Sequence, residues 1–264
     1  MTSVPIRDGT LHVEVRGRGP VLLLVHGFPL DHTMWRGQLD ALATSHTVVA
    51  PDLRGFGRSS AVTGLLTMGQ IADDLAELLD ALDMPDPVWF CGLSMGGYVA
   101  WQFWLRHTAK LAGLILCDTR AAADSVEVAR GRQLMAQQVV VTGSSLLLPA
   151  MSDRLFAPQT KADQPDLVAT VEQVILKTSP ESIAAAQRGM AERSDMQSQL
   201  PQVNVPTLAL CGQYDVITPP AEMQDMVARM SRARYVEIAD AGHMAPFEQP
   251  DAVNQCLREF LAQG

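Results

Sequence analysis

The architecture of this chain is most legible in Val88-Trp89-Phe90-Cys91-Gly92-Leu93-Ser94-Met95-Gly96-Gly97-Tyr98. The apolar run from Val88 to Cys91 predicts a strand buried on both faces, and Tyr98 to Arg106 repeats apolar residues at helical spacing. Between them, Gly92 to Gly96 forms a G-x-S-x-G turn from strand to helix. A serine on so sharp a turn takes a strained backbone conformation that lifts its hydroxyl clear of the sheet. Only small residues fit two positions to either side, and Gly92 and Gly96 meet that demand. Composition alone yields such a pentapeptide in roughly one chain in ten of this length. Its placement after an apolar strand and before a helix therefore carries the inference, not the motif alone.

Outward from this turn the pattern repeats. Short β-rich runs stand at Val21 to Val25, Thr47 to Ala50, Leu111 to Cys117, Thr207 to Cys211 and Arg234 to Ile238, and two strand-like stretches flank Asp8-Gly9. Helical spacing separates most of them. Met68 to Leu82 puts Ile71, Leu75, Leu78, Leu79 and Leu82 on one stripe, and Met223 to Met230 keeps the same period. Strand and helix in alternation predict an α/β fold with a mostly parallel sheet covered on both faces. The alternation lapses between Thr119 and Leu200, where Val126 to Val141, Gln164 to Lys177 and Glu181 to Glu192 have helical periods and no strand is convincing. The expected organisation is a core of residues 1–118 and 201–264 with a helical cap, or lid, of residues 119–200. Such a cap would lie over the sheet's carboxyl edge, where open α/β sheets bind ligands.

Composition narrows the function classes. The 264 residues include 20 Lys plus Arg against 29 Asp plus Glu, a net charge of −9 that repels phosphate backbones and anionic membranes. Neither nucleic acid nor membrane is an expected partner. With 47% hydrophobic and 19% charged residues, the chain is ordinary globular material and neither disordered nor coiled-coil. No apolar run reaches the ~18 residues of a membrane span, and Met1 to Gly19 has no signal-like apolar segment, so the expected compartment is the cytoplasm. Cys91, Cys117, Cys211 and Cys256 lack the paired spacing of a zinc or redox centre, and no metal is expected. The first three close apolar runs and read as small buried hydrophobes.

On five ordered blocks the sequence resembles the α/β-hydrolase family: His26-Gly27-Phe28-Pro29, Asp52-Leu53-Arg54-Gly55-Phe56-Gly57-Arg58-Ser59, Gly92 to Gly97, Gly212-Gln213-Tyr214-Asp215 and Ala241-Gly242-His243. Within that family it is similar to carboxylesterases, to cofactor-free haloperoxidases and perhydrolases, and to 3-oxoadipate enol-lactonases. Serine at position 94, where haloalkane dehalogenases carry aspartate, argues against a dehalogenase.

A serine hydroxyl needs a base to take its proton and a third group to orient that base. The resemblance implies Ser94 as nucleophile, His243 as base and Asp215 as acid, and Asp118, after the preceding strand, is the rival acid. A bland reading of Asp118 is a cap on the helical segment that follows. His26 reads as a support for its own loop and the Asp52 to Ser59 block as structural. Family geometry assigns the oxyanion-hole N–H groups to Phe28 and Met95, and no cofactor is implied.

The expected function is a serine carboxylic-ester hydrolase acting on small to medium esters through an acyl-enzyme. The alternative is 3-oxoadipate enol-lactone hydrolysis, which the segment Asp118 to Ala122 and Val126 to Arg132 favours and the loop from His26 to Trp35 does not. The His-Gly-Phe-Pro loop adds a secondary perhydrolase activity as a further expectation, and a ligand receptor on the same fold is the reading from another class. The substrate pocket is expected to draw on Leu134, Met135, Val139, Met151, Phe156 and Met190, with Leu147 and Leu155 beside them. A carboxylate-bearing substrate would want a basic anchor. Arg130, Arg132, Arg154 and Arg188 are available, each more simply read as solvated surface. Sequence leaves the oligomeric state open.

Overall fold

A computed structural model describes residues 1–263. At Asp8-Gly9 the chain reverses, pairing β1 (Thr2–Ile6) antiparallel with β2 (Gly9–Arg16). There follow β3 (Val21–Val25), α1 (Arg36–Leu42), β4 (Thr47–Pro51), α2 (Met68–Ala81), β5 (Val88–Leu93), α3 (Met95–His107) and β6 (Leu111–Cys117). An insertion then supplies α4 (Val126–Thr142), α5 (Leu148–Leu155), α6 (Pro158–Asp163), α7 (Pro165–Lys177) and α8 (Pro180–Ala191). The chain ends with β7 (Thr207–Gly212), α9 (Pro220–Ala228), β8 (Ala233–Ile238), α10 (Ala245–Glu248) and α11 (Pro250–Leu261).

One eight-stranded sheet runs in the order β1-β2-β4-β3-β5-β6-β7-β8, antiparallel on both sides of β2 and parallel from β4 to β8. The all-apolar β3 and β5 are central and buried along their whole length, as strands covered on both faces must be. Their alternating residues feed two cores. Val21, Leu23, Val25, Val88 and Phe90 join the α2 and α3 side, while Leu22, Leu24, Trp89 and Cys91 join the α1 and α11 side. α2 starts on a capping box between Thr67 and Gln70 and buries Ile71, Leu75, Leu78 and Leu79. Each such side chain contributes about 2 kcal/mol by burial. Cys91, Cys117 and Cys211 are buried free thiols.

The insertion holds two short helices, α5 and α6, that hydropathy does not reveal. Both carry proline within their first two residues and are too short to display an apolar period. α4 and α8 pack together. The insertion is tied to loops of the core by Leu66 N–H donating to Ala185 O (3.1 Å), Thr178 Oγ1 to Pro29 O (3.1 Å) and Met244 N–H to Leu155 O (3.2 Å). No helix among the described residues is long and apolar enough to cross a membrane.

Candidate active site

The carboxyl ends of four successive parallel strands deliver Ser94, Asp118, Asp215 and His243 to one edge of the sheet. Ser94 sits between β5 and α3 at φ 52°, ψ −110°, a left-handed conformation that an L-residue adopts only under constraint. The constraint is visible. Ser94 N–H donates to Cys117 O (2.9 Å), and Thr119 Oγ1 donates to Ser94 O (2.8 Å). A Cβ on Gly92 would lie 2.3 Å from Gly96 O, and one on Gly96 would lie 2.3 Å from Val25 O. The turn can therefore be this tight only with glycine at both places.

His243, in the loop after β8, is 3% exposed and its Nδ1 lies 2.8 Å from Asp215 Oδ2. Asp215 is held in turn by the N–H groups of Ile217 (2.7 Å) and Thr218 (3.0 Å) on Oδ1 and by the Thr218 hydroxyl on Oδ2. Burial opposes ionisation of Asp215, but His243 and these donors outweigh it and hold its pKa below the usual carboxylate range. Among the described residues no hydrogen bond joins Ser94 to His243, yet both line one cavity of about 210 Å³. Catalytic contacts of this kind often tighten only when substrate is bound.

Glu248 brackets the His243 loop. Its buried carboxylate accepts from Gly242 N–H (2.8 Å) and Met244 N–H (3.2 Å), one on each side of His243. The other oxygen accepts from Ala157 N–H (2.8 Å) and Thr160 Oγ1 (2.6 Å) in the insertion. Burial nevertheless raises the Glu248 pKa above its ordinary value. Neither Glu248 nor Thr218 was flagged by sequence reasoning, since a lone Glu in a helix and a Thr in a loop carry no motif signal.

Asp118 has another environment. It is fully buried with Oδ1 accepting Gly212 N–H (2.7 Å) and Oδ2 unpartnered. Burial, then the nearby Asp215 and Cys117, raises its pKa well above the usual range. It does not cap the insertion, as the bland reading supposed. The Ser125 hydroxyl caps α4 instead, accepting from Val128 N–H (3.3 Å), while Asp118 links the ends of β6 and β7.

Met95 is the first residue of α3, where N–H groups lack intrahelical acceptors and the helix dipole favours negative charge. Phe28 lines the cavity from the loop after β3, its ring edge-on to Phe56. His26 supports that loop through Nδ1 to Gly27 O (2.9 Å) and Leu53 N–H to Nε2 (3.0 Å). In the Asp52 block, Asp52 Oδ1 meets His32 Nδ1 at 2.6 Å and accepts His32 N–H at 2.9 Å, and Arg58 N–H donates to Oδ2. The cluster of His12, His32 and Asp52 is compact enough for a metal, but His32 Nδ1 and Asp52 Oδ1 already bond to each other.

The expected pocket wall needs correction. Met135, Met151 and Met190 line the cavity, with Leu147 and Leu155. Leu134 does not, being 57% exposed. Successive helical residues point about 100° apart, and α4 turns Met135 toward the cavity and Leu134 toward solvent. Val139 and Phe156 are buried in the apolar core under the insertion and do not reach the cavity. Arg132 is the second correction, for it is half-buried and lines the cavity, whereas Arg154 borders the cavity but is exposed, as the plainer reading has it. Arg130 is exposed outside it, and Arg188 donates to Gly64 O. Tyr98, Gln187 and Ile217 complete the wall and had no distinguishing sequence signal.

A nucleophile elbow above a mostly parallel sheet defines an α/β-hydrolase architecture, and residues 20–250 match the profile of the alpha/beta hydrolase fold. The chain belongs to this family. It is similar to a thermophilic esterase from Thermogutta terrifontis, described with malate bound, at 43% identity and TM-score 0.96, covering 99% of this chain and 98% of that one. It is also similar to the enol-lactonase from Burkholderia xenovorans LB400, at 29% identity and TM-score 0.91 over 99% and 100% of the two chains. A 3-oxoadipate enol-lactonase from Acinetobacter baylyi is 26% identical over 254 residues, 96% of this chain and 93% of that protein.

Proposed function

We propose that this hydrolase cleaves short carboxylic esters through a Ser94 acyl-enzyme. The observation that carries the reading is that Ser94, on its strained turn, and His243, bonded to Asp215, face one cavity. His243 Nε2 takes the Ser94 proton as Oγ attacks the ester carbonyl. The N–H groups of Phe28 and Met95 receive the oxyanion. Asp215 holds the ring through Nδ1 and stabilises the imidazolium. The tetrahedral intermediate collapses, the C–O bond to the alcohol breaks, and imidazolium protonates the leaving oxygen. Water then attacks the acyl-enzyme, giving its proton to His243, and the acid leaves as Ser94 is restored.

At about 210 Å³ the cavity falls below the common range for drug-sized ligands, which supports short acyl chains. Residues 119–200 serve in this reading as the lid that completes the pocket. The relatives named esterase and enol-lactonase support ester and lactone chemistry alike. The test is turnover of p-nitrophenyl acetate and butyrate. Wild type turns over many acyl equivalents, and Ser94→Ala loses on the order of 10⁴-fold or more in kcat. Release limited to one equivalent, or turnover indifferent to Ser94, would mean a binding protein instead.

A further inference from the structure

Every charged side chain on the cavity wall, His243 apart, is an arginine. Arg132 on α4 and Arg154 on α5 line it, and no carboxylate does, on a chain whose net charge is −9. Arg132 is oriented for use. Its Nε lies 2.6 Å from Asp124 Oδ2, and Nη1 donates to Gln187 Oε1 at 3.0 Å, while Nη2 donates to no protein atom among the described residues. Asp124 does not neutralise it, because Arg193 Nη1 also lies 2.7 Å from Asp124 Oδ1. Two guanidiniums share one carboxylate, leaving one positive charge in excess beside an apolar pocket. Arg154 also borders the cavity and makes no ion pair among the described residues, but it is exposed and its charge is screened by solvent, so Arg132 carries the site. A positive charge in a low-dielectric wall repels nothing that is neutral, but it favours a planar anion presented within the pocket.

We infer that Arg132, seconded by Arg154, forms an anion subsite that selects esters carrying a free carboxylate on the part of the substrate held under the insertion. Resting on the esterase reading, this names its substrate class: monoesters of short dicarboxylic acids, or lactones bearing a carboxylate. The free carboxylate takes the open Nη2 edge of Arg132 while the ester carbonyl lies at Ser94. Asp124 and Gln187 fix the guanidinium beforehand, so little rotamer freedom is lost on binding.

The test compares kcat/KM for monomethyl and dimethyl glutarate, and for a carboxylated γ-lactone and its methyl ester. Wild type prefers the charged member of each pair, and the stronger pair identifies the open or the cyclic source. Arg132→Gln lowers the charged-to-neutral ratio by roughly ten- to a hundredfold, the value of one charge-assisted hydrogen bond. Arg130→Gln, a charge removed from the same helix but outside the cavity, leaves the ratio intact. Calorimetric titration of glutarate and of glutaramide into Ser94→Ala reads the subsite without hydrolysis and without disturbing Asp124. Binding of glutarate and not glutaramide supports the subsite even if the acyl-enzyme reading fails. Equal affinities, or a charged-to-neutral ratio that Arg132→Gln does not move, would overturn it.

Discussion

Asp118 and Asp215 follow successive strands, yet their carboxyls are chemically opposite. Asp215 is surrounded by donors that lower its pKa, while Asp118 has one donor and one unpartnered oxygen and burial raises its pKa. In the proposed mechanism Asp215 sets the histidine tautomer, so Asp215→Asn is expected to lower kcat by roughly 10⁴. Asp118→Asn keeps an acceptor for Gly212 N–H and does not touch His243, so kcat stays near wild type. Its effect is on stability. A carboxyl whose folded pKa is raised penalises the folded state increasingly as pH climbs above the unfolded value near 3.8. Asp118→Asn therefore raises Tm more at pH 7 than at pH 4, and a pH-independent change in calorimetric scans would contradict this. Both aspartates were visible in the sequence as strand-end acids. The family resemblance names Asp215 as the one that meets His243, but the residues alone leave Asp118 open, because the contact depends on where two loops converge in space.

α10 shows how one side chain joins distant segments. Glu248 satisfies donors on both sides of His243 and at the start of α6, so the His243 loop and the insertion share a single anchor. Glu248→Leu leaves those donors buried without an acceptor, at a cost of about 3 kcal/mol or more. Urea denaturation should register that loss, with kcat falling as the His243 loop relaxes. A stable, fully active variant would remove Glu248 from this role. The strands, α2 and α3 were readable because their apolar residues repeat with a single period. α5 and α6 were not, since six- and eight-residue helices are held by what they pack against. α4 was readable as a helix, but its rotational phase was not. Its exposed face carries Val126, Leu134 and Val141, so hydrophobicity alone misassigned Leu134 to the pocket.

Across the whole molecule, His32 and Asp52 join the loop after β3 to the end of β4, and Glu14 of β2 stands 3.5 Å from the His32 ring. Burial lowers the His32 pKa, but Asp52, Asp31 and Glu14 together outweigh it and raise the value above 6.5. Burial likewise opposes ionisation of Asp52, and its hydrogen bonds from His32 and Arg58 prevail and lower its pKa. The His32 contribution is thus complete below the unfolded histidine value and disappears as pH rises through the folded one. That of Asp52 is present above the unfolded carboxylate value and disappears as pH falls through the folded one. Tm measurements should find that His32→Asn destabilises more at pH 6 than at pH 9, and a constant difference across that range would refute the linkage.

The sequence by itself determined the strand and helix alternation, the glycine-framed serine turn and the chain order of Ser94, the strand-end aspartates and His243. Each of these rests on local periodicity or on steric demands within a few residues. Only the tertiary structure decided which aspartate meets the histidine, which face of α4 looks inward, and that two arginines of the insertion border the cavity. Those outcomes depend on contacts between residues far apart in the chain, where orientation and desolvation are set by neighbours that no local pattern specifies.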